Sequence, residues 1–166
     1  MWHRPRTSNP RHVGGEGGLY ALDAHTGRVR WTFRNLGFAN STPVLVGGTM
    51  YIGSQDDSID AVDAGTGQLR WRYPTDRQVV SGVTVAGGRV FAGDNSGAVY
   101  AVDAVTGRRV WRYQTGLDVD TDPAVAGHLV YAGSQDRHLY ALDTATGKRI
   151  WSFAARDAFA TAIVVG

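Results

Sequence analysis

The residues with the clearest potential for chemistry are three acidic side chains in the stretch Asp118–Asp122. In an extended strand alternate residues share one face, so Asp118, Asp120 and Asp122 are predicted to line up their carboxylates. Oxygen ligands of this kind suit calcium, although the glycine and distal glutamate of an EF-hand loop are missing because Pro123 follows directly. The stretch is a candidate site for a cation or a basic partner. The alternative interpretation is a polar loop at the rim of the fold, leading into its innermost strand.

A second set of residues is basic. Arginines and a lysine recur at intervals along the chain, and together with arginines near the N-terminus they could form a basic belt for nucleic acid or an anionic surface. The simpler interpretation is that charges on an outer edge strand block edge-to-edge aggregation. The formal net charge is only +2, which does not demand a nucleic-acid partner. The residues are Arg28, Arg30, Arg70, Arg72, Arg108, Arg109, Arg112, Lys148 and Arg149, with Arg4, Arg6 and Arg11 near the N-terminus.

Other residue types that often do chemistry give no pattern. The sequence has no cysteine, which excludes disulfides, thiolate metal sites and cysteine catalysis. The five histidines show no metal-ligand spacing, and no Ser-His-Asp triad can be argued from the sequence. The glycine pairs lie in predicted hairpin turns with no helix after them, so they are not phosphate loops. We predict no catalytic residue, no cofactor-binding residue and no metal ligand beyond the three aspartates.

A strict internal repeat organises the chain. Tryptophans fall at positions 31, 71, 111 and 151, a spacing of 40 residues each time. Each tryptophan ends the same motif, Ala-x-Asp-x-x-Thr-Gly-x-x-x-Trp, so the same residue types return in the same order four times. The motif residues are Ala21, Asp23, Thr26, Gly27 and Trp31, then Ala61, Asp63, Thr66, Gly67 and Trp71, then Ala101, Asp103, Thr106, Gly107 and Trp111, and finally Ala141, Asp143, Thr146, Gly147 and Trp151.

Each period has the pattern of four strands. Short runs with a period of two, typical of half-buried strands, are separated by turns rich in Gly, Asp and Thr. Four antiparallel strands, repeated radially, define a β-propeller blade. We therefore predict an all-β fold, a partial or small propeller of about four 40-residue repeats. The predicted order is a basic N-terminal tail at 1–9, blades at about 10–33, 34–73, 74–113 and 114–153, and the first strand of a further blade within 154–166.

The motif has a mechanical interpretation. Glycine at the end of a hairpin turn takes positive φ without steric cost, and Asp and Thr side chains bond nearby backbone N–H groups to hold the turn. The alanine is expected where neighbouring sheets approach too closely for a larger side chain. The tryptophan is expected to project towards the next blade, where burying about 150–250 Å² is worth at most about 4–6 kcal/mol.

This motif resembles the quinoprotein-type (PQQ-like) propeller repeat, and the resemblance covers about residues 10–166. It implies that the tryptophan locks blade to blade. The family includes PQQ-dependent dehydrogenases, which hold PQQ against a tryptophan floor and a calcium ion, often beside a vicinal cysteine pair. It also includes the lipoprotein that scaffolds outer-membrane barrel assembly and the sensor propellers of bacterial serine/threonine kinases. The chain resembles these scaffold and sensor members more, because it lacks cysteine and uses its motif tryptophans and aspartates periodically.

The sequence therefore predicts a non-catalytic binding or scaffolding module without a cofactor, which acts in protein–protein interaction, with a protein as its partner, or in ligand sensing. The alternatives are a fragment of a PQQ-dependent dehydrogenase, with calcium and PQQ implied by the resemblance, and a basic-belt binder of nucleic acid or an anionic surface. No stretch approaches the roughly 18–20 apolar residues of a membrane span. The resemblance implies a periplasmic or extracellular location, although the N-terminal residues show no signal peptide.

The repeats start and stop within a blade, and the unpaired strand edges that this predicts leave three arrangements open. The C-terminal strand could complete the N-terminal blade in a four-bladed ring. Two chains could join as a homodimer with an eight-bladed ring. The chain could also be a piece of a longer gene product, and the last two arrangements are favoured over the closed monomer.

Overall fold

The computed structural model describes residues 11–38, 41–159 and 163. The predicted tail at 1–9 lies outside the described residues, as does most of the predicted extra strand at 160–165. All regular structure in the described part of the chain is β. The strands are β1 (Arg11–Leu22), β2 (Val29–Phe38), β3 (Val44–Val46), β4 (Thr49–Ser54), β5 (Ser58–Asp63), β6 (Leu69–Pro74), β7 (Thr84–Ala86), β8 (Arg89–Gly93), β9 (Ala98–Asp103), β10 (Arg109–Gln114), β11 (Ala124–Ala126), β12 (Leu129–Gly133), β13 (His138–Asp143) and β14 (Arg149–Ala154).

The strands form one two-stranded sheet and three four-stranded sheets, each antiparallel and each in sequence order. We call β1–β2 the first blade, β3–β6 the second, β7–β10 the third and β11–β14 the fourth. This confirms the predicted all-β fold of four-stranded propeller blades. In the fourth blade, period-two runs and turn residues mark both ends of each strand.

The first blade differs from its prediction in one respect. The glycine pairs were predicted to lie in hairpin turns, and the pair at 17–18 does not. The structure instead has one continuous strand, β1, which pairs along its length with β2. The glycine-rich run at 14–18 does not form a turn here, because the ladder continues through it to pair Glu16 with Phe38 across a bulge.

The hairpins place their connections at two opposite ends of the sheets. We call one end the Asp-turn face, because it carries the turns after β1, β5, β9 and β13 together with the glycine turns after β3, β7 and β11. We call the other end the connection face. It carries the turns at 55–57, 94–97 and 134–137 and the two inter-blade connections at 75–83 and 115–123.

The core lies between neighbouring blades. Leu19 of the first blade packs with Met50 and Ile52 of the second, and the third and fourth blades meet through residues such as Phe91 and Val130. The motif alanines are fully buried in all four blades. No helix in the described part of the chain is long and apolar enough to cross a membrane.

Candidate functional site

The Asp-Thr-Gly turn is held by one carboxylate in every blade. In the second blade, Asp63 Oδ1 accepts hydrogen bonds from the backbone N–H of Gly65 at 2.9 Å and of Thr66 at 2.8 Å, and from the Thr66 hydroxyl at 3.0 Å. Gly67 closes the turn at a φ of +75°. The aspartates at the corresponding positions make the same bonds, so this carboxylate serves the backbone rather than a substrate.

The hydrogen bonds of these turns change the acidity of their carboxylates. The Arg70 guanidinium, 2.7 Å from the carboxylate, is the largest cause that lowers the pKa of Asp63 to about 2, and the Thr66 bonds add to it. Hydrogen bonds from Thr106 and Thr146 likewise lower the pKa of Asp103 and Asp143. All three groups are therefore stable anions at neutral pH.

The motif tryptophan reaches the turn of the following blade. The indole N–H of Trp31 donates to the carbonyl of Ala64 at 3.1 Å, and Trp71 and Trp111 make the same bond to residues 33 positions ahead at 3.0 and 2.9 Å. The ring also covers the turn glycine: a Cβ added at Gly67 would lie 2.7 Å from Trp31. We call this pairing of an indole with the next blade's turn the dock.

The acidic stretch does not converge on one point. Asp122 accepts a hydrogen bond from the backbone N–H of Gly82 in the connection before the third blade, whereas Asp120 accepts one from the amide of Gln135 at 2.9 Å. Asp118 binds Gln135 through its backbone carbonyl at 2.8 Å. Among the described residues no group of three or more His, Cys, Asp or Glu side chains is placed to hold a metal ion. The cation site stays a prediction.

Several arginines of the predicted belt have acidic partners. Arg70 pairs with Asp63 at 2.7 Å, and Arg112 pairs with Asp76 at 2.6 Å. Arg72 donates two hydrogen bonds, of 2.6 and 2.7 Å, to the carboxylate of the fully buried Asp60. Burial raises the pKa of Asp60 against the opposing effect of Arg72. These ion pairs neutralise three of the arginines that the predicted basic belt would need for a nucleic acid or an anionic surface.

A polar cavity of about 420 Å³ opens on the connection face between the second and third blades. It is lined by Asp57, Arg77, Gln78 and Asn95. Asp57 has a φ of +60°, a left-handed conformation that is uncommon outside glycine. The side-chain oxygen of Asn95 is buried and has no hydrogen-bond partner among the described residues. The cavity therefore has two charged side chains, Asp57 and Arg77, in its lining.

A buried hydrogen-bond network connects to a lining residue of this cavity, and it was not predicted from the sequence. Asp94 is fully buried, and its Oδ2 accepts hydrogen bonds from the Tyr100 hydroxyl at 2.9 Å and from the backbone N–H of Arg77 at 3.1 Å. Burial is the main cause that raises the pKa of Tyr100. The sequence did contain a signal for this network, because the other complete blades have Ser54 and Ser134 at the position of Asp94.

A second cavity of about 400 Å³ lies on the Asp-turn face between the same two blades. Residues of the glycine turns and of the Asp turn line it, including Gly47, Gly88 and Ala104. Because these residues recur in the repeat, this cavity is a consequence of blade packing.

The blades, their docks and their turns define a β-propeller array of the quinoprotein-repeat class. The chain belongs to the family described as outer membrane protein assembly factor BamB, which matches residues 11–80 and 55–165. No curated protein matches the chain at a significant level.

Three solved structures share the fold. BamB from Moraxella catarrhalis is 22% identical with a TM-score of 0.72, and the match covers 90% of this chain and 50% of that one. The computationally designed Ika8 protein is 18% identical with a TM-score of 0.84, covering 97% of this chain and 51% of that one. Quinohemoprotein alcohol dehydrogenase ADHIIG from Pseudomonas putida HK5 is 21% identical with a TM-score of 0.75, covering 89% and 33%. The chain thus spans about half or less of each.

Proposed function

We propose that this chain is a non-catalytic binding module whose connection face holds a partner protein. The observation that carries the proposal is the contrast between the two faces. The Asp-turn face repeats the same Asp, Thr and Gly in every blade, whereas the connections 75–83 and 115–123 agree only at Thr75/Thr115 and Val79/Val119.

The two shared valines explain how varied connections keep one backbone path. Val79 and Val119 are 1% and 0% exposed. They pack against Gly53 and Gly93, where any side chain would collide with them. Between these anchors the connections present different residues in each blade. A rigid frame that carries variable surface segments is a common basis of binding.

The chemistry of the face suits a polypeptide ligand. Gln78 offers an amide group that can donate to and accept from a peptide backbone, while Arg77 and Asp57 offer opposite charges for side chains. The family description supports an outer-membrane protein, or a component of its assembly, as the partner class.

A matched pair of triple variants tests the proposal. Labelled peptides that span an outer-membrane protein are titrated with the chain, and binding is measured by fluorescence anisotropy. Arg77→Ala, Gln78→Ala and Asn95→Ala together should weaken binding at least about tenfold, the loss of about 1.4 kcal/mol. Gln68→Ala, Val105→Ala and Arg108→Ala, on the Asp-turn face, are the control. Equal losses in both variants would contradict the assignment of the face.

A quinone-dependent oxidoreductase is the other candidate, and the fold match to the alcohol dehydrogenase favours it. Two observations on the described residues favour the binding module instead. The indoles of Trp31, Trp71 and Trp111 bind the next blade's turn, and no acidic cluster of three is present in the same part of the chain. Titration with PQQ and calcium, followed by absorbance, separates the candidates: saturable binding favours the oxidoreductase, and its absence favours the binding module.

A further inference from the structure

The two faces of the array carry opposite charge. The turns and connections of the connection face contain eight aspartates and two arginines, in the segments 55–57, 75–83, 94–97, 115–123 and 134–137. The Asp-turn face instead carries basic side chains at the last residue of a turn or at the first residue of the strand that follows. They are Arg28, Arg89, Arg108, Arg109, Lys148 and Arg149.

These six basic side chains are not neutralised by neighbours. Within the described residues none of them has an ion-pair partner, whereas Arg70, Arg72 and Arg112 are paired. Five of the six are exposed, and only Arg89 is half-buried. The turn aspartates of the same face are half-buried and accept hydrogen bonds from their own turns. The outermost charges of the Asp-turn face are therefore positive.

The exposure of these charges belongs to the repeat. The last turn residue and the first residue of the outer strand are exposed in each of the four blades, including the second and third, which have a blade on either side. What varies is the residue type: Gln68 and Leu69 occupy these positions in the second blade, and Arg108 and Arg109 in the third. The basic residues are therefore not needed to form the turn.

An apolar side chain projects beside the two arginines of the third blade. Val105 is 83% exposed, and its backbone N–H donates to Asp103 at 3.1 Å, so the turn holds it in place. The corresponding residues are His25, Gly65 and Ala145, so the repeat does not require valine here. Exposed apolar side chains among Lys and Arg are the combination that binds at the surface of an anionic bilayer.

The same face is less suited to nucleic acid. Proteins bind single strands by stacking the bases on aromatic side chains. The turns of the Asp-turn face contain no Phe, Tyr or Trp. A DNA duplex presents phosphates but no apolar layer that would bury Val105. A bilayer with anionic headgroups offers both.

We propose that the Asp-turn face binds the surface of a bilayer that contains anionic phospholipids. The basic side chains lie near the headgroup phosphates, and Val105 enters the interfacial layer. Each Lys or Arg near such a surface strengthens partitioning by about fivefold. In this orientation the acidic connection face points away from the bilayer, where it stays accessible to the protein partner proposed above.

Co-sedimentation with vesicles tests the proposal. The full chain should bind vesicles of equal parts phosphatidylglycerol and phosphatidylcholine, and should not bind vesicles of phosphatidylcholine alone. Raising the salt concentration from about 50 mM to about 200 mM should weaken the binding, because it shortens the distance over which charges act. Absence of binding to the anionic vesicles, equal binding to both kinds, or binding to a DNA duplex without binding to vesicles would each overturn the proposal.

Two double variants with the same change in net charge locate the contact. Arg108→Gln with Arg109→Gln should lower the vesicle partition constant by about 25-fold, two steps of about fivefold. Arg77→Gln with Arg137→Gln, on the connection face, should keep its binding. All four residues are exposed, and circular dichroism checks that both variants fold. Equal losses would overturn the assignment of the face. The vesicles contain no peptide, so this test and the peptide titration can fail separately.

A fluorescent label tests the orientation. The chain has no cysteine, so Val105→Cys gives a single site for a dye whose emission depends on polarity. The label should shift to shorter wavelength on the anionic vesicles. The same dye at Gln78→Cys, on the connection face, should not shift. A shift at Gln78→Cys without one at Val105→Cys would show that the opposite face meets the bilayer.

Discussion

The indole of Trp71 and the carbonyl of Ala104 are 33 residues apart in sequence and 3.0 Å apart in space. The same carbonyl also accepts a hydrogen bond from the Tyr51 hydroxyl at 3.0 Å. In the next dock the residue that corresponds to Tyr51 is Phe91, which has no hydroxyl, so Trp111 donates to Thr144 without that second donor.

This difference predicts unequal effects of the same substitution. Trp71→Phe and Trp111→Phe remove one indole each. Ala104 keeps its bond from Tyr51, whereas Thr144 loses the side-chain donor, so Trp111→Phe should cost about 1 kcal/mol more. Urea unfolding measures both free energies of unfolding. Equal losses would show that ring packing alone sets the strength of the dock.

The turn glycines offer a second matched comparison. Gly107→Ala should cost the left-handed strain of about 1–2 kcal/mol plus about 1–3 kcal/mol for overpacking, because its Cβ would lie 2.7 Å from Trp71. Gly27→Ala has nearly the same φ, +68° against +71°, but meets open space among the described residues. It should therefore cost only the strain. Both are measured by thermal unfolding. Matching losses would be inconsistent with contact between indole and glycine.

The Asp-turn carboxylates predict a loss of stability in acid. The folded-state pKa of Asp63, about 2, is lower than the usual 3.8. This group therefore contributes stability that is fully present above about pH 4. The contribution is lost as the pH falls through about 2. Unfolding midpoints measured from pH 5 to pH 2 should decline less steeply for Asp63→Asn. Arg70→Gln should also make the decline shallower, because it removes the largest cause of the lowered pKa and so narrows the gap between the folded and unfolded pKa values. An unchanged profile in both variants would contradict this assignment.

The ion pair between Asp60 and Arg72 predicts a strong asymmetry between two substitutions. Arg72→Ala leaves a fully buried carboxylate without its bidentate partner and should cost about 3–5 kcal/mol. Asp60→Tyr introduces the residue found at the same position in the other blades and removes the buried charge, so its cost should stay within about 1 kcal/mol. Urea unfolding checks both. A larger loss for Asp60→Tyr than for Arg72→Ala would show that the blade surface around Asp60 is shaped for the carboxylate.

The sequence indicated the blades well because their determinants are local. Alternating residues, turn glycines and a tryptophan every 40 residues act within a hairpin or between successive hairpins. The single strand β1 was missed because its glycines resemble a turn when they are considered without their partner strand.

The polar contacts could not be predicted from the sequence, because they join residues that only the folded structure brings together. Asp60 lies directly opposite Arg72 in the ladder between β5 and β6, and that register follows from a bulge after the turn. Asp94, Tyr100 and Arg77 meet only after a connection folds over a neighbouring turn. The usable signal was a departure from the repeat. Asp60 stands where the other three copies have tyrosine, and Asp94 stands where the other two complete blades have serine.

The 33-residue reach of each dock also bears on how the array folds. Contacts of short sequence separation cost little loop-closure entropy, and repeat arrays can grow from any folded unit. A nascent chain therefore needs to emerge by only one more blade before the previous indole finds its receptor. Assembly can therefore proceed one dock at a time along the chain.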